Sequence, residues 1–208
     1  MAGLAKIQEL SGRLPLDADL ASALDGWVAW LRNEKRASVH TLDAYGHDLG
    51  EFLEFIVGHI GGPISLATLS GLRLADFRAW LAARAGRGLA RTSTARALST
   101  VRGFFRRLER MELAQNGAIT VLRTPKLPQS IPKALSEREA FAAIDAMRDM
   151  AEEEWIAKRD VAILTLLYGA GLRIGEALGL ARRDVPAGPA LRVTGKGNKE
   201  RVVPLLPV

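Results

Sequence analysis

Four stretches before residue 112 carry apolar residues at helical spacing, and nothing else in the chain restricts its fold as tightly. Between Asp19 and Lys35, Leu20, Leu24, Trp27, Val28 and Leu31 fall on one face. The segment SVHTLDAYGHDLGEFLEFIVGHI opens with the capping residue Ser38. It aligns Leu42, Tyr45, Leu49, Phe52, Leu53 and Ile56, and stops at Gly61, Gly62 and Pro63. Leu74, Phe77, Trp80 and Leu81 mark a third helix closed by AGRG. A fourth runs from about Thr92 to Met111 with Leu98, Val101, Phe104, Phe105 and Leu108 inward. Four amphipathic helices joined by short turns predict a bundle over residues 1–122.

The next thirteen residues, RTPKLPQSIPKAL (123–135), hold three prolines and no periodic pattern, and so read as an extended linker. Beyond it, Ser136 and Glu139 form a capping-box pattern ahead of a helix. A longer helix is predicted from about Trp155 to Tyr168, and a short one from near Arg173, ending before Asp184. The end of the chain changes period: ALRVTGKGNKERVVPLL is two β-type runs around a glycine-rich turn, a hairpin. The predicted class is mainly α, a four-helix bundle followed by the start of an α+β domain over 136–208. A two-stranded hairpin is marginal by itself, so this second domain is expected to be cut short.

Charge is unevenly spread. Residues 1–60 hold five Lys/Arg against nine Asp/Glu, residues 61–126 twelve against three, and residues 127–208 twelve against eleven. The excess therefore sits in the middle segment, as a polyanion-binding surface requires. Arg102, Arg106 and Arg110 are spaced to form one stripe on the fourth helix. Arg91, Thr92, Ser93, Thr94 and Arg96 gather hydroxyls and cations at its start, where free amides suit phosphate oxygens. The competing reading is an ordinary solvated basic face. The near-absence of acids between residues 84 and 110, where Glu109 stands alone, favours nucleic acid. With no cysteine, disulfides and cysteine–zinc sites are excluded. The first twenty residues lack the apolar core of a signal peptide and no apolar run is long enough to span a bilayer, so a cytoplasmic protein without a membrane partner is expected.

YGAGLRIGEALGL (168–180) raises the question of nucleotide binding. Gly169 and Gly171 fit a dinucleotide fingerprint, but Ile174 occupies the third glycine position, and the preceding run is too long for a typical strand. GKGNKE lacks the features of a P-loop. The alternative is a left-handed turn at Gly171 that places Arg173 at the start of the next helix, with Glu176 one turn on to orient its guanidinium. Lys196 lies in a tight turn between glycines. An arginine and a lysine so held suit a phosphate. Taken singly, Arg173 also reads as a structural partner of Glu176, and Lys196 as a solvated turn residue.

LLYGAGLRIGEALGL followed by RVTGKGNKERVVPL resembles the first half of the catalytic domain of tyrosine recombinases, of the bacterial Xer type, and YGAGLR leans toward the XerC branch. TPKLPQSIPKALS is similar to the interdomain linker of that family. SVHTLDAYGHDLGEFLEF and RTSTARALSTVRGFFRRL are similar to its SAM-like core-binding domain. The resemblance runs from about residue 19 to the last residue. It implies site-specific recombination through a 3′-phosphotyrosyl intermediate, with neither metal nor nucleotide cofactor. Arg173 matches the arginine that stabilises charge on the phosphate, Lys196 the general acid for the leaving 5′-oxygen, and Glu176 a supporting acid. Lys199 and Arg201, beside Lys196, are counted with the DNA-contacting groups. The implied partners are a double-stranded recombination site, a second, XerD-like recombinase in a heterotetramer on DNA, and a regulatory DNA translocase; the implied role is chromosome dimer resolution at cell division.

The family's later H-x-x-R motif and its tyrosine nucleophile have no match. The histidines are His40, His47 and His59, and Tyr45 and Tyr168 read as packing residues. The chain is thus expected to bind DNA without cleaving it, as a monomer in solution and as part of a longer enzyme. A non-enzymatic protein that occupies recombination sites is the alternative reading, and a helical protein–protein adaptor a third.

Overall fold

The computed structural model describes residues 12–124, 135–150, 153–185, 188–195 and 199–205. The chain divides into two units, residues 1–129 and 130–208, and the division falls inside the proline-bearing segment.

In the first unit the long helices are α1 (Ala18–Asn33), α2 (Val39–Ile60), α4 (Leu74–Gly86) and α5 (Arg91–Arg110). Two short helices, α3 (Leu66–Gly71) and α6 (Ala118–Val121), join them. The Ser38 hydroxyl accepts the Thr41 amide at the start of α2, and Gly61 ends that helix in the left-handed conformation at φ 80°. α3 is too short to carry a periodic signal. Its start is set by a reciprocal Ser65–Thr68 cap and by Asp19, which accepts the Leu66 amide at 3.2 Å. α6 is held by Asn116, whose amide group donates to the Leu69 and Leu72 carbonyls at 2.8 Å while its carbonyl accepts the Ala118 amide. The predicted inward faces meet in one core, with Leu20, Leu24, Trp27, Leu49, Phe52, Leu53, Phe77, Trp80, Leu98, Val101 and Phe104 at 2% exposure or less. Each such side chain contributes about 1.5–3 kcal/mol through removal from water. Phe52 is central: its ring lies parallel to Phe77 at 5.9 Å and edge-on to Trp80 at 5.1 Å and Phe105 at 6.3 Å.

In the second unit α7 (Glu137–Met150) pairs with α8 (Glu154–Gly169). The Ser136–Glu139 box caps α7, the two side chains accepting each other's backbone amides. Gly171 takes φ 61° after α8, and the Leu172 amide reaches back to the Leu166 carbonyl. α9 (Ile174–Leu178) and a 3₁₀ turn (Arg182–Asp184) lead to β1 (Ala190–Thr194) and β2 (Glu200–Pro204), an antiparallel pair with Leu191 opposite Val203 and Val193 opposite Arg201. Leu191 and Val193 point inward with Val203, packing against Leu172 and Ala177 of the α9 region. The Gly195 amide donates to the Lys199 carbonyl at 2.8 Å and closes the hairpin. Among the described residues α8 has none that is fully buried, and Tyr168, expected to pack, is 48% exposed. Tyr45 does pack, stacked on Trp27 with ring centroids 6.2 Å apart.

Candidate functional site

The basic surface of the first unit is built on α5, and its arginines divide into those used by the fold and those left to solvent. Arg96 grips Asp48 of α2 with Nε and Nη2, both at 3.0 Å, and the Thr100 hydroxyl donates to the same carboxylate at 3.2 Å. Asp48 is fully buried, so this pair fixes α5 against α2 and leaves Arg96 only partly available. Arg84 is buried on Glu51, which also accepts from Arg87 at 2.6 Å. Arg102 turns away from the expected stripe. Its guanidinium donates to the Ile119 and Leu122 carbonyls and to the Thr124 hydroxyl, the last at 2.8 Å. The cause is local: the carbonyls at the end of α6 have no helical partner, and Arg102 is the donor that satisfies them. Thr94 is buried, leaving Thr92 exposed and Ser93 half-buried at the α5 start, where no side chain caps the helix.

Arg91, Arg106 and Arg110 are exposed, and no carboxylate pairs with them among the described residues. Arg106 and Arg110 line a cavity of about 490 Å³ between α1, α2 and α5, together with Arg107, Lys35, Trp30 and Tyr45. Arg107 and Lys35 lie over the Trp30 ring at 5.0 and 5.2 Å. The lining contains no acid. The groove therefore concentrates positive charge beside aromatic faces, an arrangement suited to a phosphate backbone. Sequence reasoning overlooked Lys35 and Trp30 as parts of this groove; Arg107 belongs to the basic run of residues 84–110. Trp30 lies in the last turn of α1 and Lys35 just beyond it, and only the tertiary packing brings them to α5.

In the second unit a carboxylate organises the site. Glu176 is 6% exposed at its side chain, and its two oxygens take four donors. Oε1 accepts Arg173 Nη1 at 2.9 Å and Arg201 Nη1 at 2.7 Å. Oε2 accepts the Arg173 amide at 2.8 Å and Arg201 Nη2 at 2.7 Å. The two-pronged Arg201 contact is foremost, and with the Arg173 amide it holds the Glu176 carboxyl far below the ordinary glutamate range. The Arg173 amide is thus taken by Glu176. The Arg173 guanidinium meets no other acceptor among the described residues, and its side chain is 70% exposed. Arg201, counted with the DNA-contacting groups, instead turns its guanidinium onto Glu176; the Lys199 backbone helps close the hairpin. Lys196 lies outside the described residues. Its neighbour Gly195 passes directly over the cluster: a Cβ there would stand 2.9 Å from Glu176 Oε1 and 3.6 Å from Arg173 Nη1. The space left by the missing Gly195 side chain is filled by the protein's own carboxylate.

A helical domain with a basic groove is followed along the chain by an arginine held through a buried carboxylate to a β-hairpin, and the chain is similar to tyrosine recombinases over most of its length. Residues 24–112 match the phage integrase N-terminal SAM-like domain. The chain is 47% identical over 190 residues to the tyrosine recombinase XerC of Rhodospirillum centenum, covering 91% of this chain and 56% of that protein. It is 44% identical over 197 residues to XerC of Mesorhizobium japonicum, covering 94% and 63%. The chain thus spans less than two thirds of the length of these relatives. In fold it is similar to the XerH site-specific recombinase in its post-cleavage complex with palindromic difH substrate. That match has a TM-score of 0.59 at 16% identity, over 98% of this chain and 64% of that one.

Proposed function

We propose that this chain binds the double-stranded DNA of a recombination site, and that the protein it represents recombines DNA by cleaving and rejoining strands through a 3′-phosphotyrosyl link. What supports the reading most is the Arg173–Glu176–Arg201 cluster with Gly195 against it, because it ties the arginine to the hairpin that bears Lys196. Arg173 stabilises the charge that builds on the phosphate as it becomes pentacoordinate. Lys196 protonates the leaving 5′-oxygen. The duplex is held by the α5 groove through Arg106, Arg107, Arg110 and Lys35, and by Arg91 at the start of α5, which supply charge for the backbone. The nucleophile is not among the groups assigned here, and the chain by itself binds without cleaving. The biological setting is chromosome dimer resolution in the cytoplasm at cell division, with a XerD-like partner in a heterotetramer on DNA and a translocase as regulator.

The test falls on the arginines left to solvent. Binding of a recombination half-site is measured against salt concentration. Arg106→Ala and Arg110→Ala are each expected to weaken binding and to flatten the salt slope by about one. Parent-like affinity and slope in both single variants and in the double variant would remove the groove from the DNA surface.

A further inference from the structure

The sequence places Arg173 and Arg201 on separate elements, and nothing in the recombination chemistry described above requires Arg201. The structure joins them through one carboxylate. Each Glu176 oxygen is shared: Oε1 between the two guanidinium groups, Oε2 between the Arg173 amide and Arg201 Nη2. Arg201 meets the carboxylate with both terminal nitrogens, which fixes the plane of Glu176 as well as its position. Arg173 is held by a single side-chain bond to that carboxylate and is otherwise exposed, so the carboxylate's orientation decides where its remaining donors aim. Arg201 sits opposite Val193 in the ladder, next to inward-facing residues that dock the hairpin on α9. Gly195 closes the arrangement from above, where a Cβ would also lie 3.2 Å from Arg201 Nη1. Glu176 Oε1 ends a side chain, but the four hydrogen bonds to its carboxylate deny that group the freedom to step aside.

We propose that Arg201 is a positioning residue for Arg173, acting through Glu176, and that Gly195 is the clearance that lets the hairpin seat over the three groups. Docking of the hairpin and aiming of Arg173 then become one event: a hairpin that lifts takes Arg201 from Glu176 and releases Arg173. This rests on the reading of Arg173 as a phosphate ligand, and it extends that reading to the hairpin strand.

Two measurements test it. The first uses the full natural reading frame on a nicked half-site duplex that traps the covalent protein–DNA complex. Arg173→Ala lowers complex formation about 10²- to 10³-fold, as loss of a preorganised charge-stabilising donor does. Arg201→Gln lowers it about ten- to a hundredfold, the scale of a lost supporting contact behind a ligand-binding group, with half-site affinity unchanged. Arg201→Lys recovers part of the loss, and Gly195→Ala slows the reaction like Arg201→Gln. The second follows the Glu176 carboxyl carbon by NMR titration in the 208-residue chain. In Arg201→Gln the carboxyl returns toward the ordinary glutamate range, and in Arg201→Lys it stays below it. Parent-like reaction of Arg201→Gln alongside an impaired Arg173→Ala overturns the positioning role and leaves the phosphate reading standing. So does an unchanged Glu176 titration in Arg201→Gln. Weakened half-site binding with an unchanged rate on bound DNA assigns Arg201 to the DNA directly, which also overturns it. Parent-like reaction of Arg173→Ala removes both readings together.

Discussion

The two units hold their shapes by different means. In the first, large side chains do the work: Trp27, Phe52, Phe77, Trp80 and Phe104 are almost wholly buried, and ion pairs such as Arg96–Asp48 sit at the margin of an apolar centre. In the second, the buried apolar set is small and made of Leu, Val and Ala. Phe141, Trp155, Ile174, Leu178 and Val202 are at least half exposed, and the best-connected group among the described residues is a carboxylate. On the proposed function, the contrast separates two tasks. A unit that offers a surface to a long polyanion needs rigid helices, which a dense core supplies. A unit that must aim one guanidinium needs direction, which bidentate hydrogen bonds supply and dispersion does not.

That contrast can be broken most easily at Phe52. Phe52→Ala should destabilise the first unit by about 3–5 kcal/mol in urea denaturation, since it opens a cavity among three aromatic partners. A cost below about 1 kcal/mol, the level of a conservative trim, would mean the core is not what holds that unit. Arg102 and Arg106 sharpen the division within α5. Arg102→Ala should cost about 1–3 kcal/mol by stranding carbonyls at the end of α6, whereas Arg106→Ala should stay within about 0.5 kcal/mol, as exposed changes do. Equal costs would erase the distinction between fold and surface arginines. The smallest effect is at Asp76. Its carboxyl accepts the Arg73 amide at 2.7 Å and pairs with His59 at 3.0 Å, and these bonds, the first foremost, lower its pKa. A depressed folded value gives stability that is present above the unfolded value, about 4, and is lost as pH falls through the folded value. Asp76→Asn should therefore flatten the stability–pH curve below pH 4 and leave its shape near neutrality alone. An unchanged acid limb would remove Asp76 from the account.

The long helices were legible because each repeats its apolar residues at helical spacing, and the Ser38 and Ser136 caps and the Gly61 and Gly171 stops are local chemistry. α3 and α6 were not, because six and four residues are too few to show a period. The basic stripe was read only in part. Counting charge by segment set the acids of residues 1–60 apart from the arginines of residues 84–110, yet Asp48 and Glu51 cross that boundary to pair with three of them. A warning was present: Asp48 adjoins Leu49 on the face that α2 turns inward, and a carboxylate there calls for a partner. Glu176 was readable as a support for Arg173 from its spacing. Its second partner was not, because Arg201 reaches it only through the fold of the hairpin, twenty-five residues further on.

The grip of Arg102 on Ile119, Leu122 and Thr124 has a mechanical side. Those acceptors lie where the chain leaves the first unit, while Arg102 is rooted in the middle of α5. Arg102 thus ties the outgoing segment to the centre of the long basic helix, beside the Asn116 contacts and the burial of Ile119 and Leu122 that also hold it.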